Sequence, residues 1–80
     1  MADLHHAENI SGSVNIRFGN RLRRLREESG AGAEEFASRL HMPVSRLRQM
    51  EGGGSSTSLL ELYSLATALG LSVSVLLKDV

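Results

Sequence analysis

From Phe18 onward the apolar residues recur at helical spacing, and glycines cut the pattern into short pieces. Phe18, Leu22 and Leu25 fall at i, i+4 and i+7, one face of a helix, while Arg17, Arg21 and Arg24 line another. This first helix is expected from about Ile16 or Arg17 to Ser29, with Gly30 as its stop. A second, over about Ala33 to Leu40, buries Phe36, Ala37 and Leu40 and carries Glu34 and Glu35 in its first turn, where carboxylates suit the helix dipole. His41 follows as a turn residue, since histidine is one of the few types besides glycine that tolerates positive φ. A third helix, over about Val44 to Glu51, turns Leu47 and Met50 inward, with Met42 packed at its start. Gly52, Gly53 and Gly54, with Ser55 and Ser56, predict a flexible connection. Ser58 and Glu61 make a capping box ahead of the fourth helix, whose stripe is Leu62, Leu65, Ala66 and Leu69 and whose end is Gly70. Ser72 caps a fifth that runs to about Leu77.

Helices this short are marginal in water unless they pack together. The pattern therefore predicts an all-α domain of five helices over residues 16–80, behind a flexible N-terminal arm over 1–15 that is polar and without period. Val73 to Leu77 is β-branched at two positions, yet its serine cap and its helical neighbours favour a helix. A chain of 80 residues buries a modest share of its surface, and dimerisation is a common remedy.

Several chemistries are excluded by what the chain lacks. With no cysteine there is no disulfide, no thiol nucleophile and no cysteine-based zinc site. No apolar run could span a bilayer and no signal-peptide pattern opens the chain, so the expected location is the cytoplasm. "GGGSS" lacks the lysine and the preceding strand of a phosphate-binding loop, and no serine sits in a nucleophile elbow. His5 and His6 are read as part of a solvated tail. No enzyme, cofactor or metal is expected.

Net charge is zero but unevenly spread. Arg17 to Arg48 holds eight arginines against four glutamates, a local balance of +4, while the segments on either side carry −2 each. A basic block of this size suits contact with a polyanion, and it suits an ordinary solvated helix face as well.

Two short helices joined by a tight turn inside a five-helix domain make a helix-turn-helix. Further detail comes from "RLRRLREE", "EEFASRL", "SRLRQMEGG" and "SLLELYSLATALGLSVSVLL". Together these resemble the Cro/repressor-type, or XRE-family, helix-turn-helix domain, without gaps from about Phe18 to Leu77. The resemblance implies a lambda-repressor-like five-helix fold and binding to double-stranded DNA, with the third helix as recognition helix. It further implies that Arg26 pairs with Glu51, tying the first helix to the end of the third.

A recognition helix lies in the major groove with its N-terminal part toward the base edges. The outward positions would be Val44, Ser45, Arg48 and Gln49, with Arg46 nearer the flank. Gln49 could pair bidentately with adenine, an arginine with guanine, and Val44 could touch a thymine methyl. Arg17, Arg21 and Arg23 would supply phosphate contacts. The chain departs from the family pattern in three places: Gly32 and Ala33 open the second helix, Pro43 and Val44 open the third, and the loop behind it has no charge. Those departures predict a weaker grip on DNA.

Two functions share this fold. The first is a sequence-specific DNA-binding transcriptional regulator that acts as a homodimer. The alternative is a helix-turn-helix domain whose DNA-contacting surface has degraded and which serves protein–protein contact or dimerisation. Leu60, Leu71, Val73 and Val75 would form the dimer or partner surface in either case.

Overall fold

The computed structural model describes the backbone from Asp3 to Val80 and the side chains from Gly12 onward. It consists of α1 (Asp3–Glu28), α2 (Ala33–Arg39), α3 (Val44–Glu51), α4 (Leu59–Leu69) and α5 (Val73–Leu76), with no strand among the described residues. Phe18, Leu22, Phe36, Leu47, Met50, Leu65 and Leu76 are all buried, so each helix contributes at least one large side chain to a single core. The small residues Ala37 and Ala66 are buried with them and let their helices approach closely. Both α1 and α2 pack against α3, and α5 packs against α4.

The elements begin and end where local chemistry places them. His41 has φ 55°, and Met42 N–H donates to Ala37 O at 3.1 Å, which closes the tight turn from α2 to α3. Pro43 stands at the N-cap of α3 with φ −63° and no side-chain cap, and its carbonyl accepts from Arg46 N–H at 3.0 Å. At α4 the capping box is complete: Glu61 N–H donates to Ser58 Oγ at 3.1 Å, and Ser58 N–H to Glu61 Oε1 at 2.9 Å. Gly70 closes α4 in the left-handed region, and Ser72 Oγ caps α5 by accepting from Val75 N–H.

Two expectations change. First, α1 begins at Asp3, so the backbone expected as an arm continues the first helix. Val14, Phe18 and Leu22 repeat every fourth residue, so the apolar stripe extends upstream of Ile16, where Gly12 and the serines beside it hide it. His5 and His6 fall in the part of α1 whose side chains lie outside the described residues. Second, the glycine-rich connection is closely fitted where it leaves α3. Gly53 has φ 73°, and a Cβ there would come within 2.8 Å of Ile16 Cα. Only glycine meets both demands.

Candidate nucleic-acid interface

The exposed side of α3 is built by burying the other side. Leu47 and Met50 point into the core, and Glu51 at its C-terminal end is buried as well. That leaves Ser45, Arg48 and Gln49 exposed along one side. These three are brought together as the sequence implied. Val44 is not among them, because it is half-buried and packs against the core. With proline before it and no polar cap, the opening of α3 is anchored by apolar packing.

Glu51 is held from α1. Arg26 Nε donates to Glu51 Oε2 at 2.7 Å and Nη2 to Oε1 at 3.0 Å, while Nη1 donates to Ala31 O at 2.9 Å. The planar guanidinium matches the carboxylate fork, and both partners are buried. The hydrogen bond to Glu51 raises the Arg26 pKa above its ordinary value, so the cation is secure. At the same crossing Gly19 lets α1 lie directly against the last turn of α3. A Cβ on Gly19 would come within 2.5 Å of the carbonyl oxygens of Met50 and Glu51.

Arg46 does not face outward with the other polar residues of α3. Its Nε donates to Glu61 Oε2 at 2.9 Å and Nη2 to Glu61 Oε1 at 2.7 Å. Nη2 also donates to Ser56 O at 3.0 Å, and Nη1 to Ser55 Oγ at 2.5 Å and to Gln49 Oε1 at 3.2 Å. A guanidinium has five N–H groups, and all of them are used here. Arg46 is thus a clip joining α3, the loop behind it and the start of α4. The hydrogen bonds from Arg46 and then from Ser58 lower the Glu61 carboxyl from 4.5 to about 2.

Arg21 is also corrected by its surroundings. It was expected at a phosphate, but its Nε donates to Leu76 O at 2.9 Å and its Nη2 to Val75 O at 2.6 Å. Those are carbonyls at the end of α5, where a cation satisfies groups the helix cannot. Arg17 and Arg23 are exposed. Arg17 lines a shallow depression with Arg21, Arg24 and Lys78, one that no α3 residue lines.

The proposed partner residues divide in the same way. Leu60 and Val75 are exposed, at 80% and 43%, whereas Leu71 and Val73 are half-buried. Leu59 and Tyr63, outside the partner surface expected from the sequence, are exposed at 74% and 66%, and Tyr63 lies one turn on from both Leu59 and Leu60. Their signal was present: Leu59 and Leu60 are adjacent on a helix whose inward stripe does not begin until Leu62. Gly19 also had a signal, as a glycine in the middle of an otherwise strong helical pattern. The Arg46–Glu61 clip had none, because nothing in the residues between them fixes their approach.

The arrangement is a short helix with one polar side, packed against α1 and α2 within a five-helix domain, which is the architecture of a helix-turn-helix DNA-binding protein. The family model for the helix-turn-helix domain matches residues 17–77. The chain belongs to this family, in its Cro/repressor or XRE type, whose members are DNA-binding transcriptional regulators. It is 32% identical over 68 residues to control protein C.MunI from Mycoplasma sp, spanning 84% of this chain and 92% of that protein. It also superposes with a TM-score of 0.73 on the restriction-modification controller protein C.AhdI from Aeromonas hydrophila, at 34% identity over 76% of this chain and 92% of that one.

Proposed function

We propose that this chain binds a two-fold symmetric DNA site as a homodimer, with α3 of each protomer in the major groove, and controls transcription from it. The observation that carries the reading is the polarity of α3: Leu47, Met50 and Glu51 are fixed inside while Ser45, Arg48 and Gln49 stand outside. Arg48 and Gln49 read base edges, and Ser45 bonds a base or a phosphate. Arg17 and Arg23 supply charge toward the phosphates. Val44 contributes packing, and Arg21 and Arg46 hold the frame.

Dimerisation uses the exposed apolar side chains of α4 and α5, Leu60 and Val75 among them, joined by Leu59 and Tyr63. The likeness to two controller proteins supports the same task here, regulation of a restriction-modification system by a protein that acts in the cytoplasm and catalyses nothing. Among the described residues no helix is long and apolar enough to cross a membrane.

Selection from a pool of random duplexes at low salt tests the reading. The expected product is a two-fold symmetric site with half-sites about one DNA turn, ~34 Å, apart. Failure to retain any duplex at low salt refutes it. The exposure of Leu59, Leu60 and Tyr63 would then favour the second reading, a module for protein–protein contact.

A further inference from the structure

Gln49 is the α3 side chain with the most to say to a base, and its orientation is constrained by a neighbour. Arg46 Nη1 lies 3.2 Å from Gln49 Oε1. A guanidinium carries donors only, so the amide atom that faces it must be the oxygen. That settles which way the amide is turned, a choice otherwise open in an Asn or Gln side chain. Arg46 is itself immobilised by Glu61, Ser55 and Ser56.

We propose that Arg46 is a positioning residue that sets the base preference of Gln49. With the amide oxygen turned toward Arg46, the amide N–H groups are the part offered to DNA. Bidentate pairing with adenine needs both, the oxygen accepting from N6 and the nitrogen donating to N7. An amide held as a donor suits bases that present acceptors: guanine, through N7 and O6, or thymine, through O4. It is repelled by the N4 amino group of cytosine. The oxygen keeps a second lone pair, but one already engaged by a cation is the poorer acceptor for adenine N6, so the preference moves toward guanine or thymine through a residue that makes no contact with DNA.

This inference rests on α3 acting as a base reader, and its test separates the two claims. Random-duplex selection is run with the wild-type protein and with Q49A and R46M. Q49A identifies the position Gln49 reads, as the one whose preference disappears. At that position the wild type is expected to take guanine or thymine. R46M, which keeps the apolar stem but removes the donor, is expected to shift the preference toward adenine by about tenfold, the scale of one bidentate contact. Adenine already preferred by the wild type, or an R46M preference equal to the wild type's, overturns the positioning role while leaving the base-reading role intact. A wild-type selection that enriches nothing overturns the base-reading role itself, and with it any effect of Arg46 on base choice.

A measurement on the free protein covers the case in which R46M does not fold. In Q49E, the carboxyl introduced at position 49 should titrate below the ordinary glutamate value of about 4.3 when followed by NMR, because it faces Arg46. An unshifted titration shows that Arg46 does not hold position 49 and overturns the proposal.

Discussion

Replacing Gly19 with alanine sets two effects of opposite sign against each other. In an exposed helix interior the change stabilises by about 0.5–1 kcal/mol, because alanine loses less backbone entropy. At Gly19 the new methyl would stand 2.5 Å from two backbone oxygens of α3, where ordinary contact begins near 3.4 Å. Backbone cannot rotate aside, so α1 and α3 must part by roughly 0.5–0.9 Å to bring these contacts to 3.0–3.4 Å. Overpacking of this kind costs about 1–3 kcal/mol, and backbone on both sides places it at the upper end. Glu51 is one of the residues pushed, so its 2.7 and 3.0 Å bonds to Arg26 are disturbed as well. The net expectation is about 2 kcal/mol of destabilisation, which lowers the melting temperature of a domain this size by roughly 8–16 °C. Thermal melting followed by far-UV circular dichroism reads it directly. Gly12→Ala is the control, since a Cβ at Gly12 meets nothing within 4 Å and the same helix should gain stability there. A Gly19→Ala protein that melts at or above the wild-type temperature refutes the close-approach argument.

Other consequences follow from the same contacts. Arg26→Met strands the Glu51 carboxylate in a buried site and should cost about 3–5 kcal/mol in urea unfolding, whereas Arg26→Met with Glu51→Met should recover most of that loss. Glu61, held at about 2 in the fold against 4.5 ordinarily, contributes stability that is present above pH 4.5 and lost as pH falls toward 2. Unfolding measured across that window should therefore be less pH-dependent in Glu61→Gln than in the wild type. If Arg17 and Arg23 each contact a phosphate, replacing both with alanine should flatten the salt dependence of DNA binding by about 2 in log–log slope. An unchanged slope in fluorescence anisotropy titrations places both arginines outside the interface.

What could be read in advance follows from the range over which each signal acts. The bounds of α3, the box at Ser58 and Glu61, the turn at His41 and the stop at Gly70 are set within one or two helical turns, and each was legible. Apolar spacing likewise identified Leu47 and Met50 as inward, and of the four residues this left outward Ser45, Arg48 and Gln49 are exposed while Val44 is half-buried. The arginines were harder because a guanidinium on a long stem has several possible partners and the sequence does not rank them. Arg26 was paired with Glu51 through family likeness and not from spacing. Arg21 and Arg46 went to carbonyls and a carboxylate on elements distant in sequence, which only the packed fold brings within reach. The upstream extent of α1 is hidden because Gly12 and its flanking serines mask the four-residue repeat of Val14, Phe18 and Leu22.

The losses at the opening of α3 and the additions at its close bear on one another. Pro43 offers no capping oxygen, Val44 no polar reach, and the loop after Glu51 no charge. Fewer charged contacts mean less affinity from counterion release. Against this, α3 and the turn behind it are tied at four places: Glu51 by Arg26, the last turn by the close approach at Gly19, the following turn by Gly53 against Ile16, and Arg46 by Glu61. A reading helix already fixed before it meets DNA has less freedom to lose on binding, and every side chain spared from ordering saves about 0.5–1.5 kcal/mol. Arg46 is ordered in the free protein, and through it Gln49 is oriented. The arginine expected to add charge at the interface thus adds order instead, and that order bears both on how tightly DNA is held and on which base is chosen.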